Sequence, residues 1–182
     1  MAEFWDILDG DRRLTGRVHE RGIDLKTLDM KDGDYHLVVE IWTVCGGKVL
    51  LSQRHEKKHF PLLWECTGGS VVAGEDSVVG ASRELAEETG IFAEPDKFVL
   101  IETEKKVMAF HDVYLYKADL PYPRVTCQDG ETVDIRWCSP GEVREMIAGN
   151  LLVPSIADMF ERLFSVLFAN SQPSPAKPKS AR

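Results

Sequence analysis

The sequence predicts an α/β fold in which a mixed β-sheet lies between helical layers. Three observations predict it. Strand-like segments outnumber helical ones between residues 4 and 138. Two of those segments are joined by Gly46-Gly47, a hairpin signal, so part of the sheet is antiparallel. Helix-like stretches interrupt the strands once, in the middle, and follow the last strand twice.

Residues 4–8 and 14–19 read as a hairpin around Asp9-Gly10-Asp11. Residues 35–43 (YHLVVEIWT) and 48–54 (KVLLSQR) are strand-like and rich in β-branched side chains. Apolar spacing gives a helix over Ser77–Thr89, with Gly90 as its stop. Residues 98–104 and 111–118 form a second strand pair, and 133–138 (VDIRWC) one more strand. Ser139-Pro140 caps and starts a helix that ends near Gly149. Ser155 is the expected cap of the last helix. Its Ile156, Met159, Phe160, Leu163, Phe164 and Leu167 recur at a spacing that buries one broad stripe against the sheet. The expectation is one domain over residues 1–170, with 1–34 as an N-terminal hairpin extension and 35–170 as the core. The tail, 171–182 (SQPSPAKPKSAR), holds too little apolar surface to order itself.

A net charge of −8 disfavours binding to a nucleic acid polymer or an anionic membrane. It leaves room for a phosphorylated small molecule, provided cations mediate the contact. No apolar run is long enough to span a bilayer, and the acidic, aromatic start lacks a signal-peptide pattern. Cys45, Cys66, Cys127 and Cys138 show no C-x-x-C spacing, so they read as reduced thiols of a cytoplasmic protein.

The chemistry concentrates on the helix over Ser77–Thr89. Val78, Ser82 and Leu85 share one of its faces, and Glu84, Glu87 and Glu88 another, within an arc of about 100°. Like charges three or four residues apart repel. Glu87 and Glu88 also stand in the last turn, where the helix dipole disfavours anions. Arg83 neutralises only one of them. A divalent cation would remove the conflict, and clustered carboxylates suit a hard ion such as Mg²⁺ or Mn²⁺.

Gly69, five residues, Glu75, seven residues, Arg83-Glu84-Leu85, one residue, Glu87-Glu88, one residue, Gly90-Ile91 resembles the Nudix box at every defined position. The resemblance implies the Nudix fold, an α/β/α sandwich with a mixed sheet and a loop–helix–loop catalytic motif. It implies that Glu84, Glu87 and Glu88 hold metal ions, joined by the backbone carbonyl of Gly68. Arg83 then orients the glutamates, Glu75 supports the loop, and Gly69 and Gly90 shape it. The implied reaction is hydrolysis of a pyrophosphate bond in a small diphosphate, with Mg²⁺ or Mn²⁺ as cofactor; many relatives are homodimers. The general base in such enzymes is often an acid outside the box. Glu131 is the first candidate and Asp129 the second.

The N-terminal part is similar to the isopentenyl-diphosphate isomerase branch of the same superfamily. Phe4-Trp5-Asp6-Ile7-Leu8-Asp9, Leu14-Thr15-Gly16-Arg17, Tyr35-His36-Leu37 and the run Gln53-Arg54, Lys58, Pro61, Trp64 carry that likeness. It departs where isomerisation needs its acids. Gly68 stands in place of the catalytic cysteine, Ser70 in place of a histidine, and Cys66 lies two residues early. Asp112 is the nearest counterpart of the isomerase glutamate, and His19 and His36 align loosely with its metal ligands. The reading is an isomerase-like scaffold with hydrolase chemistry, with a prenyl-diphosphate enzyme or a non-catalytic nucleotide-binding module as alternatives. Arg54 and Lys58, within a basic cluster with His55, Lys57 and His59, are candidates to bind phosphate. Trp64 and Phe110, and with them Phe60 and Trp137, are candidates to stack on a base.

Overall fold

The computed structural model describes residues 3–21, 30–128 and 130–169. The expected tail, 171–182, and Asp129 lie outside these. The first two strands, β1 (Phe4–Leu8) and β2 (Leu14–Glu20), pair as the expected hairpin. The main sheet contains β3 (His36–Cys45), β4 (Lys48–Arg54), β5 (Trp64–Glu65), β6 (Thr67–Ser70), β7 (Phe98–Lys105), β8 (Ala109–Lys117) and β9 (Thr132–Cys138). Its order is β5-β4-β3-β8-β7, with β6 paired to β3 and β9 to β4. The β3–β8 pairing is parallel and the others are antiparallel, so the sheet is mixed, as expected.

Two apolar layers sandwich this sheet. On one face α1 (Ser77–Thr89) packs Ala81 and Leu85 against Val39, Ile41, Leu50 and Tyr114. On the other, α2 (Pro140–Ala148) and α3 (Pro154–Leu167) pack Val143, Met159, Phe160 and Leu167 against Trp42, Leu51 and Val113. The alternation along β3 divides its side chains between the layers: Val39 and Ile41 go one way, Trp42 and Val44 the other. Among the described residues no helix is long and apolar enough to cross a membrane.

The helix ends follow local chemistry. Ser139 and Glu142 form a reciprocal capping box at the start of α2. Gly90 closes α1 in the left-handed region, at φ 72°, as its expected stop. The expectation for α3 is corrected by one turn position. Pro154 occupies the first helical position and Val153 the cap, so Ser155 lies inside the helix and caps nothing. Proline at that position has no N–H to leave unsatisfied, which removes the need for a side-chain cap.

The short strands β5 and β6 were not expected. Neither alternates in polarity, and Thr67–Ser70 is half glycine. They exist because β3 splits its pairing. Near the hairpin, Val44 and Cys45 pair with β4, whereas Val38 to Ile41 pair with β6. Strand β4 has diverged by then, and a cavity opens where the strands part.

The hairpin extension is fastened to the core at several points, among them a hydrogen bond from Ala73 N–H to the Phe4 carbonyl at 2.7 Å and one from Lys105 Nζ to the Gly10 carbonyl at 2.6 Å. Leu8 and Tyr35 exchange both backbone hydrogen bonds, at 2.7 and 2.9 Å. Asp6 accepts from the backbone N–H of Gly74 at 2.7 Å. Arg12 donates through both Nη atoms to the buried Asp112, which also accepts from Ser77 and from Thr103 at 2.7 Å. Burial alone would raise the Asp112 carboxyl, but those donors outweigh it and hold it below the ordinary carboxylate range. Truncation of Asp112 strands these donors. The expected outcome for Asp112→Ala is a stability loss of about 2–3 kcal/mol, read by urea denaturation. A change within error of zero would show that the network fastens nothing.

Candidate active site

The site assembles on the exposed side of the β6–α1 junction. Gly69 enters without a side chain because the Glu84 carboxyl lies against it; a Cβ there would meet that carboxyl at 2.3 Å. Glu84 is therefore 8% exposed and Glu88, one turn on, 4%. Glu87 projects outward with its side chain 47% exposed. Two of the three carboxylates on the acidic face are thus covered by the glycine strand, and the third is exposed.

Arg83 organises the group. Its guanidinium donates to Glu75 at 3.0 Å, to Glu84 at 2.8 Å, to Glu87 at 3.0 Å and to the Ser70 carbonyl at 3.0 Å. Glu75 also accepts from the backbone N–H of Val72 at 3.2 Å, which ties the loop before α1. Glu88 is outside this set. One of its oxygens accepts a long 3.4 Å hydrogen bond from Gly68 N–H, and the other faces Lys58 Nζ at 4.0 Å.

Electrostatics follow from that geometry. Burial raises both buried carboxyls, and it pushes Glu88 up to about 8 against the pull of Lys58. Among the described residues no three His, Cys, Asp or Glu side chains converge as a ready metal cage. Arg83 draws Glu84 and Glu87 to itself, and Glu88 turns to Gly68. The donor set nevertheless fits a hard divalent ion: carboxylate oxygens on one helix face, two of the carboxyls buried and one of those, Glu88, short of positive charge.

Glu131, the first candidate for general base, comes to this site from a separate loop. It accepts from Lys58 at 2.8 Å, and that bond, helped by Arg21 and Arg54, lowers its carboxyl. Lys58 thus stands between Glu131 and Glu88. The loop is pinned where it crosses the end of α1, by Thr126 N–H donating to Thr89 carbonyl at 2.9 Å.

Arg21 was missed in the sequence. It pairs with Glu3 at 2.8 Å and lies 3.9 Å from Glu131. No motif surrounds it, and only the folding back of the hairpin brings it near.

Other candidates fall elsewhere. Arg54 binds Glu65 at 2.5 Å and borders the cavity between β3, β5 and β6. Trp64 is corrected to core: it is 3% exposed, packs with α2 and α3 residues, and has Arg136 stacked on it at 3.8 Å. Phe110 is also buried, against Tyr35 at 5.0 Å, with Arg12 and Lys105 over its ring; neither ring offers a ligand a free face. Trp137 packs on Tyr122, while Phe60 stays half exposed beside His59. His36 stacks on Trp5 at 4.5 Å and donates to the Met108 carbonyl; burial lowers it to about 4. His19 packs on the same indole. Asp112 belongs to the Arg12 network on the α1 face, away from Cys66. Cys66 is buried among Glu40, Glu65 and Glu88, and burial pushes its thiol well up. All four cysteines are free.

The family model described as NUDIX domain matches residues 34–161. An uncharacterized Nudix hydrolase of Listeria monocytogenes is 29% identical over 160 residues, covering 84% of this chain and 89% of that protein. The CTP pyrophosphohydrolase of Escherichia coli is 33% identical over 96 residues, covering 53% of this chain and 70% of that one. The fold matches a bifunctional NMN adenylyltransferase/ADP ribose pyrophosphatase from Francisella tularensis, crystallised with AMP and a Mn ion. The TM-score is 0.66 at 17% identity, over 78% of this chain; this chain spans 44% of that one. The box, the mixed sheet that carries it and the extent of the family match place the chain in the Nudix family, as a Nudix pyrophosphohydrolase.

Proposed function

We propose that the chain hydrolyses the pyrophosphate bond of a small, nucleoside-diphosphate-linked substrate with Mg²⁺ or Mn²⁺ held by Glu84, Glu87, Glu88 and the Gly68 carbonyl. The observation that carries this reading is the burial of Glu88. A carboxyl 4% exposed, beside the buried Glu84 and with its nearest cation 4.0 Å away, keeps its proton when no ion is present and would ionise on meeting a divalent cation. When bound, the ion supplies Lewis-acid polarisation of the phosphoryl group and a water of lowered pKa.

The chain's own residues supply the rest. Arg83 holds Glu84 through Oε1 and Glu87 through Oε2, so an ion would be met by their other oxygens. Lys58 and Arg21 bring positive charge to the mouth of the site, where phosphate oxygens would sit. Glu131, kept ionised by Lys58, is placed to take the proton of the attacking water. The water oxygen bonds to phosphorus, the bridging P–O bond breaks, and the leaving phosphate carries away the electron pair. The hairpin belongs to the working unit in this reading, because it delivers Arg21. The CTP pyrophosphohydrolase and ADP ribose pyrophosphatase names of the relatives agree with the reaction class.

The expected outcome for Glu88→Gln or Glu87→Gln, assayed with Mg²⁺ on a panel of nucleotide sugars, dinucleotides and nucleoside triphosphates, is a kcat at least ~100-fold lower with an unchanged fold. Wild-type turnover in either variant would remove the metal assignment. For Glu131→Gln the expected loss is ~100-fold in kcat with little change in KM; a full-rate enzyme would point to a different base.

The metal-free protein has a pH signature of its own. Folded Glu88 holds its proton to about pH 8, whereas the unfolded chain releases it near 4.5. Unfolding in that window therefore releases a proton, so the contribution of Glu88 to stability is greatest below about 4.5 and falls as pH rises towards 8, opposite in sign to that of Asp112, whose carboxyl is held low. In EDTA the difference in Tm between the wild type and Glu88→Gln is expected to show that fall between pH 5 and 8. Saturating Mg²⁺ is expected to raise Tm more at pH 8 than at pH 5, since the ion needs the ionised carboxyls. A wild-type Tm that climbs with pH relative to that of Glu88→Gln would contradict the burial argument.

A further inference from the structure

Two protein cations face the carboxylates of the site, and they are held differently. Arg83 serves Glu84 and Glu87 and is anchored besides by Glu75 and the Ser70 carbonyl. Each of its three guanidinium nitrogens donates, so its planar fork is fixed in place. Lys58 serves Glu131 at 2.8 Å and Glu88 at 4.0 Å, one close contact and one loose. An ammonium is a point charge on a flexible stem, with three donors that can be aimed elsewhere.

The backbone around Lys58 is held without its side chain. His55 N–H donates to the Glu131 carbonyl at 2.9 Å, Arg54 Nε to the His59 carbonyl at 2.6 Å and Gln53 Nε2 to the Leu62 carbonyl at 2.9 Å. Phe60 and Leu62 stand in the left-handed region, at φ 54° and 61°, which bulky residues adopt only where their surroundings impose it. The loop is thus a fixed mount for a side chain on which it does not depend.

Glu131 gives a reason for that side chain to move. Its Oε2 accepts from Lys58, and its Oε1 faces Arg21 at 3.9 Å. A general base needs an oxygen open to the attacking water. Charge gives another reason. A dication at Glu88 brings two positive charges close to the ammonium, and even in exchange for a proton it adds one.

We infer that Lys58 is a built-in stand-in for the metal ion: its ammonium holds the gap between Glu88 and Glu131 in the metal-free protein and gives way when a divalent ion binds. The inference rests on the ion site of the proposed pyrophosphatase reading. Withdrawal of the ammonium uncovers Glu131 Oε2 and leaves Lys58 free for a phosphate oxygen of the substrate. Lys58 is then a positioning residue that ties ion binding to exposure of the base.

Ion affinity is read without turnover, by calorimetry with Ca²⁺ and by electron paramagnetic resonance with Mn²⁺, for the wild type, Lys58→Met and Arg21→Met. Arg21 controls for the general field: it lies against Glu3 and Glu131 and, among the described residues, makes no ion pair with Glu84, Glu87 or Glu88. Lys58→Met is expected to tighten both ions by ~10-fold or more, and Arg21→Met by less than ~3-fold. Brief acetylation read by mass spectrometry follows the amine itself. Saturating Ca²⁺ is expected to raise the rate at Lys58 at least ~3-fold, because the amine loses its carboxylate partner, and to leave the exposed Lys97 unchanged.

Unchanged or weaker ion binding in Lys58→Met, or equal tightening in both variants, overturns the inference. So does a Lys58 acetylation rate that Ca²⁺ does not alter. If Lys58→Met fails to fold, acetylation of the wild type decides. A wild type that binds neither ion removes the ion site and this inference with it. Exchange at Lys58 without hydrolysis of any member of the substrate panel leaves the inference standing and removes the hydrolase reading.

Discussion

Two carboxylates buried against a glycine strand are the constraint from which the rest of the structure follows. Glu84 can be covered only because Gly69 brings no side chain to the contact. Strand β6 can lie there only because β4 diverges from β3 beyond the hairpin and frees its edge. The same divergence opens the cavity. A single departure from regular pairing therefore supplies both the acidic ledge and the space beside it.

The cost of that burial is electrostatic, and the fold meets it in part. Arg83 covers Glu75, Glu84 and Glu87 with one guanidinium, a fork suited to several carboxylates. Glu88 has only a distant Lys58, which is closer to Glu131 than to it. The site is thus balanced on one side and short of positive charge on the other. Sites that break local rules for charge and capping at one place are where function is expected. The Asp112 network, by contrast, satisfies its buried carboxylate fully and reads as a fastener between hairpin, helix and sheet. The two buried acids are told apart by their donors: Arg12, Ser77 and Thr103 reach Asp112, whereas Glu88 has a long bond from Gly68 and a distant Lys58.

The hairpin's role differs from its sequence likeness. Its isomerase-like residues do form a hairpin, and Trp5 packs His19 and His36. Yet what it contributes to the site is Arg21, a residue outside those motifs. Asp112 faces the α1 layer, while Glu40, on the neighbouring strand, reaches the cavity that holds Cys66. The face on which a strand residue emerges depends on odd or even position, so a loose alignment transfers such roles poorly.

The sequence alone determined the box, the helix that carries it, its glycine stop and the strands with alternating or β-branched character, because these are local: capping, periodicity and turn chemistry act within a few residues. It also placed three carboxylates on one helix face, since 100° per residue is fixed geometry. Tertiary structure alone decided which of them is buried, since Gly69 meets Glu84 only through the pairing of β6 with β3. It moved Trp64 and Phe110 from the ligand list to the core, because an aromatic ring satisfies packing and stacking equally well in a sequence. It brought Arg21, Lys58, Glu88 and Glu131 together from separate segments, and it left one buried Glu40 oxygen without a partner among the described residues. Those contacts join residues far apart in the chain, and no local propensity encodes them.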